Sequence, residues 1–264
     1  MSSVSSTLVM AIALCAVLSA QSQSPLRVCA DPNNLPFSNA KEQGFENRIA
    51  ALVAREMGRP LVYVWAPQRR GFVRTTLNAG RCDVIMGVPG KYGPVQTTRA
   101  YYRSSYAFVS RQDRHLPIRS FDDERLRKLT VGIQITGEDY ENPPAAQALA
   151  ARHMVQNVRG YPVYGDYSTS DPQREIVDAV ADGRVDIAVV WGPVAGYYAR
   201  REPAIVRVAP VQADGNGPAS AFAFDIAMGV RRGDTALREA LDAIIVRRGS
   251  QIRRILSTYG VPLQ

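Results

Sequence analysis

The chain has 264 residues, 46% hydrophobic and 21% charged, an ordinary globular composition with length enough for two modest cores. Those values exclude a wholly disordered chain. Residues 1–24 carry no charged side chain, so the formal charge of +8 belongs entirely to residues 25–264.

Val9 to Ala20 reads V-M-A-I-A-L-C-A-V-L-S-A, too short to span a bilayer and followed by small residues at Ala20-Gln21-Ser22. Residues 1–24 are therefore expected to be a cleaved secretory signal, although Met1 to Thr7 lacks the usual Lys or Arg. A lipid anchor on Cys15 is the weaker alternative, because Leu14 is a poor residue before a lipidated cysteine. No later apolar run reaches spanning length, so a soluble periplasmic mature protein is expected. Export also removes a basic protein from nucleic acid and points it to acidic protein or anionic lipid. Only Lys41, Lys91 and Lys128 are lysines, an arginine bias that a GC-rich genome produces equally well.

From Leu26 short apolar strands alternate with amphipathic stretches. L-R-V-C-A is followed by a helix with Phe45, Ile49, Leu52, Val53 and Met57 on one face, stopped by Gly58 and Pro60. A strand at Leu61 to Val64, a short helix with Phe72, Val73, Thr76 and Leu77, and a strand from Asp83 to Val88 complete βαβαβ, the grammar of a parallel sheet covered by helices. Cys29 sits in the first of these strands and Cys82 opens the third; as neighbours in a doubly wound sheet they are expected to form a disulfide.

The same order returns with strands at 129–133, 161–163 and 185–190 and helices over 145–154 and 173–181. A-G-R-C-D-V-I-M-G-V-P from Ala79 matches D-G-R-V-D-I-A-V-V-W-G-P from Asp182, each with a helix stop, an Arg, a strand-opening Asp and a Gly and Pro turn. The expected fold is thus two-lobed α/β, each lobe a parallel-rich sheet flanked by helices. Lobe 1 takes 25–110, lobe 2 takes 111–220, and 221–264 returns to lobe 1 with a strand from Phe222 and helices over 235–246 and 250–259.

No nucleophile elbow, zinc-binding helix, Walker loop or dinucleotide fingerprint is present, and His115 and His153 have no second ligand nearby in sequence. No catalytic residue, metal or cofactor is expected. C-A-D-P-N-N-L-P-F-S-N lies past the carboxyl end of the first strand, where open α/β sheets bind ligands. Asp31, Asn33 and Asn34 there suit either ligand contact or a plain turn.

This order of elements, with T-T-R-A-Y-Y-R-S-S-Y-A-F-V from Thr97, resembles the extracellular solute-binding proteins of family 3 over nearly the whole mature chain. V-C-A-D-P-N-N-L-P-F-S-N, P-Q-R-R-G-F-V-R-T-T-L-N-A-G-R-C-D-V-I-M-G-V-P and Y-Y-R-S-S-Y resemble, more narrowly, the MoxJ and XoxJ group of periplasmic proteins associated with quinoprotein methanol dehydrogenases. The resemblance implies a type II periplasmic-binding-protein fold. It also implies a non-catalytic accessory role beside a periplasmic PQQ-dependent methanol dehydrogenase, or its cytochrome c. The alternative is a receptor for a small solute of an ABC importer.

Amino-acid receptors of this fold clamp a carboxylate with an Arg after the third strand and an ammonium with an acid on a lobe 2 strand. Here the first region has only Lys91 charged, and the second ends in Trp191-Gly192-Pro193. A buried zwitterion without those partners costs several kcal/mol, so amino-acid capture is not expected. Phe37, Trp65, Tyr101, Tyr102 and Trp191 are expected to line the gap between lobes, suiting an apolar ligand or protein segment, or to pack the lobes. Gln68, Arg69 and Arg70 form a turn able to hold a partner's acidic edge.

Overall fold

The computed structural model describes residues 24–135, 143–163, 167–201, 205–212 and 222–264. Residues 1–23, nearly all of the expected signal segment, and the D-G-N-G-P stretch at 214–218 lie outside them.

Lobe 1 is built from β1 (Leu26–Ala30), a small hairpin of β2 (Asn33–Asn34) and β3 (Ser38–Asn39), α1 (Phe45–Glu56), β4 (Leu61–Trp65), α2 (Phe72–Thr75), β5 (Val84–Pro89) and β6 (Gln96–Thr97). The long strand β7 (Tyr102–Arg111) leads into lobe 2. There a 3₁₀ turn (Glu124–Lys128) precedes β8 (Val131–Ile135), α3 (Pro144–Ala151) and β9 (Val158–Pro162). A second 3₁₀ turn (Pro172–Arg174) opens α4 (Glu175–Ala181), followed by β10 (Ile187–Trp191), α5 (Gly192–Ala199) and β11 (Val206–Pro210). The chain ends with β12 (Ala223–Val230) and α6 (Thr235–Thr258).

Each lobe has a parallel core of three strands with its first strand in the middle, β4-β1-β5 in one and β9-β8-β10 in the other. The sheets are joined by antiparallel pairing through β7. Tyr102 to Ser105 pair with β12, next to β5, and Tyr106 to Ser110 pair with β10. One strand therefore passes from one sheet into the other at Ser105-Tyr106.

The local repeat in the sequence has a structural counterpart. Asp83 accepts the Arg27 N–H at 3.0 Å and its own N–H reaches the Arg27 carbonyl. Asp186 accepts the Thr130 N–H at 2.9 Å and returns the same bond to the Thr130 carbonyl. In both lobes the strand-opening Asp thus closes the lower end of the central strand, satisfying backbone groups that would otherwise be orphaned. An arginine pairs with each, Arg27 at 2.7 Å and Arg114 at 2.8 Å.

Helices cover both faces of each sheet. α1 and α6 share one core with β1, β5 and β12, while the Cys29–Cys82 disulfide, with Cα atoms 5.6 Å apart, fills the opposite face with Phe72 and Leu77. In lobe 2, α3 and Phe121 lie in one core and α4 and α5 in the other.

The C-terminus departs from expectation. Instead of two helices broken near Gly249, α6 runs through it for 24 residues. An internal Gly costs about 1 kcal/mol. Against it stand the buried stripe of Leu237, Leu241, Ile244, Ile245, Ile252 and Leu256 and the Arg248 to Glu56 ion pair at 2.8 Å beside the would-be break. β9 starts at Val158 rather than 161, and α3 stops at Ala151 rather than 154. α5 and β11 have no counterpart among the expected elements: G-P-V-A-G-Y-Y-A is buried at six of eight positions, so it has no polar face to set a helical period.

Candidate functional site

The D-P-N-N-L run crosses the gap and joins the lobes. Asp31, 3% exposed, accepts the Asn33 N–H at 2.8 Å on one oxygen. Its other oxygen accepts the Gln68 N–H and the Tyr167 hydroxyl, both at 2.7 Å. Asn33 donates to the Thr169 carbonyl at 2.7 Å, and the Tyr198 hydroxyl reaches the Leu35 carbonyl at 3.2 Å. Thr169 and Tyr198 belong to lobe 2, so these residues clasp one lobe to the other, beyond turn formation.

Behind the clasp runs a chain of carboxamides. The Trp191 N–H donates to Gln134 Oε1 at 2.6 Å, and Gln134 Nε2 donates to Gln173 Oε1 at 3.0 Å. Gln173 Nε2 donates to Asn34 Oδ1 at 2.7 Å, and Asn34 Nδ2 donates to Gln68 Oε1 at 3.2 Å. Asn34, Gln134 and Gln173 are all buried, and each amide uses both its donor and acceptor ends. Such a fully connected network fixes its members' rotamers.

This chain forms one wall of an inter-lobe cavity of about 560 Å³. Phe37, Tyr102, Tyr106, Trp191 and Phe224 supply aromatic walls. Tyr106, Trp191 and Phe224 pack edge to face on one another with centroids 5.3 to 6.3 Å apart.

Of the residues singled out in the sequence, Asn34, Phe37, Gln68, Tyr102 and Trp191 line the cavity, whereas Asp31 and Asn33 hold the clasp beside it. Trp65 is stacked on Tyr63, centroids 4.5 Å apart, away from the lining. As alternate members of the same strand, 63 and 65 point to one face. Tyr101, just before β7, lies in the lobe 1 core with its ring 5.0 Å from that of Tyr102, and its hydroxyl donates to the Met86 carbonyl at 3.1 Å. Arg69 and Arg70 are exposed on the turn, with Arg69 5.4 Å over the Tyr167 ring. His115 and His153 occupy left-handed turn positions on the surface.

Sequence reasoning missed Glu46. It is the second residue of α1, its side chain lines the cavity, and it is the sole charged side chain among the described lining residues. Gly87 makes the room: a Cβ there would lie 2.1 Å from Glu46 Oε1. Burial pushes the Glu46 carboxyl up to about 8. Tyr101 and Tyr102 are held well above the usual tyrosine range, first by their own burial and then by Glu46. The available signal was the position itself, an acid one step off the apolar face of an amphipathic helix. Only the packing of α1 against β5 shows that this step points inward.

The chain belongs to the bacterial extracellular solute-binding proteins, family 3, whose sequence pattern it matches over residues 26–260. It is 35% identical over 245 residues to Protein MoxJ of Methylorubrum extorquens AM1, covering 90% of this chain and 81% of that one. Among solved structures it resembles the periplasmic binding protein XoxJ from Methylobacterium extorquens AM1, with a TM-score of 0.72, 32% identity and coverage of 90% and 99%. MxaJ from Methlophaga aminisulfidivorans MPT superimposes with a TM-score of 0.74, 25% identity and coverage of 90% and 100%.

Proposed function

We propose that this is a periplasmic, non-catalytic accessory protein of a PQQ-dependent methanol dehydrogenase system, which binds the dehydrogenase and assists its maturation or activation. The likeness to MoxJ along 90% of the chain carries this reading. The site is compatible with it: no described lining residue is cationic, so the cavity offers no clamp for an amino-acid carboxylate. Arginine and aromatic side chains at the mouth are the types that anchor protein interfaces. The partner-facing residues are Asn34, Phe37, Gln68, Arg69, Arg70, Tyr102 and Trp191, while Asp31 and Asn33 hold the clasp and Trp65 and Tyr101 pack within lobe 1. Of the partner-facing residues, Arg69 and Arg70 are the exposed members.

The direct test is a binding titration against the purified dehydrogenase in apo and PQQ-loaded forms. Arg69→Ala and Trp191→Ala are expected to weaken association by roughly thirtyfold, the loss of about 2 kcal/mol that removal of an interface anchor brings. The Arg69 effect is expected to shrink as salt rises. Wild-type affinity in both folded variants would restrict these residues to packing, and no association in either form would remove the dehydrogenase as partner. The cavity of about 560 Å³ favours a second reading, a receptor that hands a small solute to an ABC importer.

A further inference from the structure

Among the described residues, the inter-lobe cavity is an aromatic chamber with one acid and no base. The Glu46 carboxylate oxygens have no hydrogen-bond or ion-pair partner among the described residues, and the half-buried side chain lines the cavity. An unpaired carboxyl partly withdrawn from water is costly, so its place in a lined chamber suits a partner from outside the chain. Much of the lining is aromatic, and the ring faces of Trp and Tyr attract organic cations. The remaining polar lining is tyrosine hydroxyl and carboxamide, and Asn34, Gln68, Gln134 and Gln173 are engaged in their own chain of hydrogen bonds.

We infer that the cavity binds a small organic monocation, an ammonium centre on an apolar or aromatic body without a carboxylate, with Glu46 as its charge partner and Tyr102, Tyr106, Trp191 and Phe224 as its walls. A zwitterion is rejected because its carboxylate would be buried with no cation to meet it. Cation binding is independent of the dehydrogenase: a protein that ignores the enzyme but takes up an ammonium compound retains it.

The groups facing the carboxyl are Tyr102 on β7, Tyr101 just before it and Tyr63 on β4, all held above the usual tyrosine range by burial first and further by Glu46. No cation among the described lining residues competes for it. Because burial raises the Glu46 carboxyl to about 8, a permanently charged ligand should bind better as pH rises to that value and no better beyond it.

Calorimetry at pH 8.5 with 2-phenylethylammonium, choline and tetramethylammonium tests this, with 2-phenylethanol, 3,3-dimethylbutan-1-ol and phenylalanine as controls. At least one ammonium probe is expected to bind saturably below about 10 mM and at least about tenfold more tightly than its neutral isostere. Glu46→Gln should abolish that preference without weakening the neutral isostere. Gly87→Ala, which drives the carboxyl out of its place, should reduce ammonium binding in the same direction. Choline affinity should climb about tenfold per unit between pH 6 and 8, because the carboxyl must lose its proton to pair. Circular dichroism checks that both variants are folded. The proposal is overturned if no ammonium probe saturates, if Glu46→Gln binds them as the wild type does, or if phenylalanine matches 2-phenylethylammonium.

Discussion

Gln173 in lobe 2 donates its Nε2 hydrogen to Asn34 Oδ1 in lobe 1 at 2.7 Å, and both residues are buried. The bond sits midway in the carboxamide chain from Trp191 to Gln68, so loss of either residue leaves the other and its neighbour unpaired. Asn34→Ala and Gln173→Ala are each expected to cost about 1–3 kcal/mol in denaturant unfolding. The double variant should show a coupling of about 0.5–3 kcal/mol. Solution scattering should report a larger radius of gyration for the variants, since the same bonds hold the lobes together. Additive, scattering-silent variants would mean that Asn34 serves only as a turn residue.

Glu46 makes stability fall with pH. Its native carboxyl is raised from an ordinary 4.5 to about 8 by burial, so between those values the native state keeps a proton that the unfolded chain releases. Unfolding is therefore favoured progressively from about pH 4.5 to 8 and levels off above. Glu46→Gln cannot lose that proton. Its melting temperature should exceed that of the wild type by several degrees at pH 8.5 and match it near pH 5. Equal gaps at both values would show that Glu46 does not titrate in this window.

Asp83 acts in the opposite sense. Burial raises its carboxyl, but the Arg27 side-chain and backbone hydrogen bonds, with Arg59, outweigh this and hold it below 3.8. Its contribution is present above that ordinary value and disappears as pH falls through the lower native one. Asp83→Asn should cost about 2 kcal/mol at pH 7 and approach no effect in strong acid. Asp186→Asn should cost less, about 1 kcal/mol, because its side chain is 25% exposed against 10% and, among the described residues, it pairs with one arginine rather than three. Equal losses would separate the two sites from the burial that distinguishes them here.

The Cys29–Cys82 bridge closes a sequence separation of 53, and in the chain-entropy account a loop of that length is worth about 4 kcal/mol. Replacing both cysteines by serine should lower stability by about 2–5 kcal/mol, and alkylation of the unreduced protein should leave Cys29 and Cys82 unlabelled. Neither outcome is expected if the bond is absent in solution.

The sequence alone determined the two α/β lobes, most of the order of elements along the chain and the bridge between Cys29 and Cys82. Those features rest on short-range signals: apolar runs bounded by Gly and Pro, and an Asp that opens a strand in each half. It also picked out the D-P-N-N run and Trp191, because turn residues and aromatics at strand ends are legible one position at a time. What Asp31 and Asn33 do was beyond it, since their partners Tyr167 and Thr169 lie more than 130 residues away. Trp65 and Tyr101 were drawn toward the cavity by residue type, but Trp65 stacks on Tyr63 and Tyr101 packs into the lobe 1 core, and only packing says which face of an element is empty. Glu46 was decided by tertiary structure for the same reason: a carboxyl on a helix reads as solvated until Gly87, on another strand, leaves the space that takes it inward.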